Sequence, residues 1–225
     1  MKVSFHKILL RKRFPLAISR GVHGDSFNVF VRVEKDGIVG WGESAPGRNE
    51  GAENPDQVIS ELQKLLETNI NDKSILEVEY RAREMNISPC SYAGLDIALW
   101  DLKSKKANLP LHELLGLPIP SSKTSVTLGI MSPESAKDRI PILFDGSSAK
   151  HLKVKLGSPK GIEADKNMYK QVLECIKPYN VSLRVDANGG WNTENAKHMI
   201  EWLSKRECDY VEQPLAEGNE KDLKI

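Results

Sequence analysis

Cysteine is scarce in this sequence, and what there is does not cluster. Cys90, Cys175 and Cys208 are odd in number, far apart, and form no CxxC pair. That pattern excludes a disulfide framework and a thiolate-held zinc site, and it suits a reducing, cytoplasmic compartment. A surplus of one charge is lacking too: 32 basic against 31 acidic side chains leave a net charge of +1. Electrostatics therefore nominates neither nucleic acid nor an anionic membrane as a partner. No apolar run approaches the roughly 18 residues of a membrane span. The opening MKVSFHKILLRKRF has its apolar stretch broken by His6 and Lys7. It is too short for a signal h-region and reads better as a first strand. At 40% hydrophobic and 28% charged residues, the composition is that of an ordinary globular protein with one large domain or two modest ones.

Two rhythms are present. The first third reads as a small antiparallel meander followed by helices. NVFVRVEKDGIVGWGE places two alternating runs around Asp36-Gly37, a strong hairpin signal. Asn54 and Pro55 then open a helix whose Val58, Ile59, Leu62, Leu65 and Leu66 share one face. A long buried helix and a short one closed by Gly116 follow within SYAGLDIALWDLKSKKANLPLHELLG. Residues 1–122 are thus expected to form an α+β domain. After PIPSSK the pattern changes. Strand candidates at 125–130, 151–157, 182–189 and 209–214 alternate with helical stretches. A strand–helix period of about 30 residues is that of a (β/α)8 barrel, so residues 123–225 are expected to supply about four of its βα units.

Side chains alternate across a strand, so Lys153 and Lys155 share a face, and so do Asp186 and Asn188, while Leu152, Val154 and Val185 point the other way. Ser125, Thr127 and Gly129 likewise oppose Val126, Leu128 and Ile130, and Glu212 opposes Val211. Parallel strands are normally apolar on both faces. Charges on one face cost several kcal/mol per ion unless paired or bound to metal. At the C-terminal ends of barrel strands such groups mark an active site. Asp186 and Glu212 offer hard oxygens suited to Mg²⁺. A lysine beside a divalent cation has its charged form disfavoured and can serve as a general base. Base plus hard cation suits removal of a proton α to a carboxylate.

LKVKLG, RVDANGGW and VEQP, in that order, resemble the KxK, DxN and ExP motifs of the enolase superfamily, and more narrowly its muconate-lactonizing branch. GWGESAP and GLDIALWDLKSKKANLPLHELLG resemble the branch's capping domain, and FPLAISRG and VTLGI are most similar to dipeptide epimerases of the L-Ala-D/L-Glu type. The resemblance implies Lys155 as one of two acid/base lysines, and Lys153 as the group tuning it and holding the substrate carboxylate. It implies Asp186 and Glu212 as Mg²⁺ ligands with Asn188 in support. Thr127 and Arg20 would contact substrate, Arg20 from a mobile loop over the site. The implied activity is Mg²⁺-dependent epimerisation of a dipeptide such as L-Ala-L-Glu. An o-succinylbenzoate synthase, an N-acylamino-acid racemase, a cycloisomerase and a non-catalytic remnant acting through another chain are the alternatives.

Each motif alone has a plainer reading. KxK is common, Asn188-Gly189 could turn a hairpin, Glu212 could cap a loop, and Arg20 could be a solvated surface residue. The helical spacing of WNTENAKHMIEWL speaks against the hairpin. His23, His112, His151 and His198 read as ordinary polar residues, Trp100 as core, and the cysteines as small buried hydrophobes. A fifth strand, about 30 residues on, falls past Ile225. The third metal carboxylate and the opposing lysine that the resemblance implies would lie there. The 225-residue chain is accordingly expected to be a truncated form, inactive alone, and open to a homo-oligomer or a complementing C-terminal chain.

Overall fold

The computed structural model describes residues 1–47 and 50–224, and the chain divides into two compact units. Met1–Lys12 and Asp25–Pro120 form the first, while Arg13–Gly24 joins the second, which runs on from Ser121. In chain order the strands begin with β1 (Lys2–Leu10), then β2 (Leu16–Ile18) and β3 (Gly21–His23), then β4 (Ser26–Lys35) and β5 (Ile38–Ser44). The sheet of the first unit is antiparallel in the order β1-β4-β5. Asp36 and Gly37 join β4 to β5 with φ of 54° and 78°, the positive pair that a type I′ hairpin turn requires.

Three longer helices and a short one follow: α1 (Pro55–Leu66), α2 (Ile75–Glu84), α3 (Pro89–Ala107) and α4 (Leu111–Leu114). The Asn54 side chain accepts the Gln57 amide at 3.0 Å, the expected cap, and Val58, Leu62 and Leu65 are fully buried. Helix α2 was not anticipated. Its signal is the capping box Ser74–Glu77, in which each side chain accepts the other's backbone amide. The GWGES and GLDIALW motifs have one physical cause. Gly40 and Gly42 on β5 let the sheet approach α3 so closely that a Cβ on Gly42 would stand 2.0 Å from the Gly94 carbonyl oxygen.

The second unit alternates β6 (Ser125–Leu128), α5 (Pro133–Phe144), β7 (His151–Lys155), α6 (Ile162–Ile176), β8 (Ser182–Asp186), α7 (Thr193–Ser204) and β9 (Cys208–Glu212). The strands are parallel in the order β6-β7-β8-β9, the first four strands of a (β/α)8 barrel. Leu128, Leu152, Val154, Leu183 and Val185 pack from one sheet face into a cluster with Ile140, Met168, Tyr169, Val172, Met199 and Leu203 of the helices. Each such buried side chain contributes about 1.5–3 kcal/mol.

Two expectations need correction. The strands stop short of the anticipated 130, 157, 189 and 214; behind β7, β8 and β9 the chain leaves the extended region at Gly157 (φ 81°), Asn188 (φ 47°) and Gln213 (φ 42°). Arg13–Gly24 leaves the domain assigned to residues 1–122: the Ala17 carbonyl accepts the Ile130 amide at 2.8 Å, and Arg139 sits 3.5 Å over the Phe14 ring. Among the described residues, no helix is long and apolar enough to cross a membrane.

Replacing Gly42 with Ala should destabilise the chain by about 1–3 kcal/mol through overpacking, read as a lower urea midpoint at unchanged m-value. A change within the ordinary surface range of about ±0.5 kcal/mol would show that the close approach of β5 to α3 is not required.

Candidate active site

Register brings the candidate residues together. Lys155 pairs with Asp186 and Asp186 with Glu212, so three side chains form one row across β7, β8 and β9. Beneath it a second row runs through Thr127, Lys153 and Arg184, and a third through Ser125, His151 and Ser182. The face opposite the helices therefore carries polar and charged side chains on β6, β7 and β8, as the alternation in the sequence implied.

The charges are paired. Lys155 Nζ donates to Asp186 Oδ2 at 2.6 Å, with the two side chains 12% and 3% exposed. Lys153 Nζ donates to Glu212 Oε2 at 2.5 Å, and Glu212 is 44% exposed. Asp186 Oδ1 accepts the Asn188 amide at 2.8 Å, and Asn188 Nδ2 reaches Asp186 Oδ2 at 3.3 Å. The left-handed turn at Asn188 folds its side chain back onto the carboxylate two residues earlier. Its Oδ1 is buried without a hydrogen-bond partner. Burial of Asp186 makes its lysine partner indispensable, because removing one member of a buried pair costs about 3–5 kcal/mol.

Lys153 lies above the ordinary lysine range, mainly through its hydrogen bond to Glu212, with burial opposing and the charges of Glu212 and Asp186 assisting. The downward shift expected for a lysine beside a divalent cation is thus not the direction that these side chains set by themselves.

Arg20 occupies the tip between β2 and β3. Its guanidinium donates to the Asn188 carbonyl at 3.1 Å, and the Ser19 hydroxyl donates to the same oxygen at 2.8 Å. The segment expected as a loop is a short hairpin seated on the turn after β8. Thr127 lies in register beside Lys153. An apolar cavity of about 490 Å³ lies beside the hairpin, lined by Ile18, Val22, Met131 and Met168, and none of Lys155, Asp186 or Glu212 borders it.

Two residues of this region were not read from the sequence. Arg184 extends the polar face, donating to Ser125 Oγ at 3.1 Å, and strand alternation was the signal for it. Asp165 is 1% exposed and accepts the Gly157 and Ser158 amides at 3.0 and 2.9 Å and Trp191 Nε1 at 2.9 Å. An acidic residue in the first turn of a helix is an ordinary helix-dipole partner, so the local sequence carries no signal for this role. Of the residues read as bland, Cys90 is buried, Trp100 is only half-buried, and His198 Nε2 lies 2.8 Å from Lys166 Nζ.

The fold and the charged row define a class, and sequence comparison agrees: the chain belongs to the mandelate racemase/muconate lactonizing enzyme family of the enolase superfamily. Residues 2–116 match the family's N-terminal domain and residues 143–224 the enolase C-terminal domain-like model. Within it, the chain is similar to a hydrophobic dipeptide epimerase of Flavobacteria bacterium (strain MS024-2A), 55% identical over 224 residues, which cover 100% of this chain and 64% of that protein. A hydrophobic dipeptide epimerase of Roseobacter litoralis is 44% identical, over 99% of this chain and 64% of its own. The crystal structure of a dipeptide epimerase from Enterococcus faecalis V583, complexed with Mg and L-Leu-L-Tyr, superposes with a TM-score of 0.85 at 27% identity. The match covers 99% of this chain and 63% of that one. This chain spans a little under two thirds of the length of these relatives.

The raised Lys153 yields a signed pH dependence. A base whose folded pKa is raised stabilises the fold fully below its unfolded value, and that stabilisation fades as pH climbs through the folded one. The unfolding free energy should therefore fall above about pH 10.4 more steeply in the wild type than in Glu212→Gln. At neutral pH the variant should lose under about 1 kcal/mol, because the pair is partly solvated. Parallel alkaline limbs in chemical denaturation would contradict the pairing.

Proposed function

We propose that the protein takes part in Mg²⁺-dependent epimerisation of dipeptides with apolar side chains, by removing the proton α to a carboxylate. The observation that carries this reading is the row Lys155–Asp186–Glu212, an amine and two carboxylates in register at the ends of adjacent parallel strands. The apolar substrate, in place of L-Ala-L-Glu, follows from the relatives at 55% and 44% identity, both named as hydrophobic dipeptide epimerases.

The residues fit a hard cation. Asp186 and Glu212 supply carboxylate oxygens, and Mg²⁺ commonly uses only one or two of these while keeping waters. The buried, partnerless Oδ1 of Asn188 is an acceptor suited to such a water. When bound, Mg²⁺ supplies positive charge to the substrate carboxylate and stabilises the enolate formed by proton loss.

The chain's own residues do the rest. Lys155 first gives up its own ammonium proton to solvent, and its neutral Nζ then takes the proton from carbon. The resulting ammonium is received by Asp186, its partner at 2.6 Å. Lys153 holds the substrate carboxylate from the same side of the sheet. Thr127 beside it and Arg20 on the hairpin border the substrate. Both lysines stand on β7, so they address one face of the α-carbon.

This sets a specific expectation for the 225-residue chain. In D2O with excess Mg²⁺, the α-proton of an apolar dipeptide such as L-Leu-L-Tyr should exchange for deuterium, read by proton NMR. Lys155→Gln, whose amide can still donate to Asp186, should abolish the exchange. Absence of exchange, or exchange untouched by Lys155→Gln, would contradict the reading.

A further inference from the structure

The most deeply buried carboxylate outside the charged row is Asp165, in the first turn of α6, and it has no cationic partner among the described residues. Its two oxygens are used by three donors. Oδ2 accepts the Gly157 amide at 3.0 Å and the Trp191 indole N–H at 2.9 Å, and Oδ1 accepts the Ser158 amide at 2.9 Å. Burial holds its carboxyl above the ordinary aspartate value, and these three hydrogen bonds oppose that shift without cancelling it.

The donors belong to two different loops. Gly157 and Ser158 follow β7, two and three residues after Lys155. Trp191 follows β8, three residues after Asn188, and is itself buried. The loops touch backbone to backbone where they cross: a Cβ on Gly190 would lie 2.7 Å from the Gly157 Cα, and one on Gly157 would lie 2.5 Å from the Ala187 carbonyl oxygen. The two loops are in close contact, and one carboxylate bonds to both.

We infer that Asp165 is a positioning residue that sets the separation of Lys155 and Asp186 by clamping the turns that follow them. It touches neither the substrate position nor the charged row. The chemistry favours a carboxylate at this point. Three N–H donors converge on two acceptor oxygens, whereas an asparagine would offer one oxygen and turn its own N–H₂ toward one of the donors. A neutral helix cap would suffice if the task were only to start α6. An uncompensated buried charge is tolerated where it fixes several donors at once.

The inference rests on the proposed role of Lys155, and its test is separable from that role. In the ¹⁵N-labelled 225-residue chain, at low temperature and mildly acid pH, the ammonium of Lys155 should give a slowly exchanging signal protected by Asp186. Lys166, buried on the same helix and bonded to Glu163 and His198, gives an internal control. In Asp165→Asn the hydrogen exchange of the Lys155 ammonium should accelerate about tenfold or more, the scale on which outer supports act. The Lys166 signal should stay unchanged. Trp191→Phe removes one of the three bonds and should give a smaller acceleration, and it serves as the test if Asp165→Asn does not fold. Unchanged Lys155 exchange in a folded Asp165→Asn, or in Trp191→Phe where that variant decides, would overturn the inference. A Lys155 response in a chain that shows no dipeptide exchange would uphold the positioning role and remove the functional reading instead.

Discussion

The structure of the site depends on one nearly buried ion pair. Asp186 is 2% exposed, at a sheet position where hydrocarbon would be the ordinary choice. A carboxylate there must be matched by positive charge and by hydrogen-bond donors, and Lys155 with the Asn188 amide provides both. The neighbouring pair, Lys153 with Glu212, repeats the match nearer to solvent. Together the two pairs make a four-charge cluster that is neutral overall.

Backbone conformation places these groups. Each site strand ends within two residues of its charged side chain, at a residue with positive φ: Gly157 after Lys155, Asn188 after Asp186, Gln213 after Glu212. The functional groups thus stand on the last, rigid positions of the sheet, and the chain turns away immediately behind them. For Asn188 and Gln213, which carry a Cβ, this conformation is uncommon, and a local cost of about 1–3 kcal/mol at such positions accompanies a placement that a continuing strand would not give. The turns are then fastened from outside the row, by Asp165 from beneath and by Ser19 and Arg20 from the hairpin.

Much of this was legible in the sequence because it rests on period-two alternation and short-range turn chemistry. Asp36-Gly37, the Asn54 cap, the four parallel strands and the shared face of Lys153 and Lys155 all follow from residues within a few positions of one another. What was not legible depends on long-range approach. Arg13–Gly24 belongs with the barrel strands because Ala17, Phe14 and Ser19 meet Ile130, Arg139 and Asn188, more than a hundred residues away. Asp165 went unread, since nothing local reveals the two loops that converge on it. Strand ends were placed too late because Leu156 and Ala187 continue the apolar alternation past Lys155 and Asp186, where the strands end.

The central claim is that the carboxylates of Asp186 and Glu212 form one cation site on the polar face of the sheet. Manganese titration of the 225-residue chain, followed by electron paramagnetic resonance, tests it most directly. The account predicts saturable Mn²⁺ binding that Mg²⁺ competes away and that Asp186→Asn and Glu212→Gln each weaken or abolish. Binding of equal strength in the wild type and both variants would contradict it.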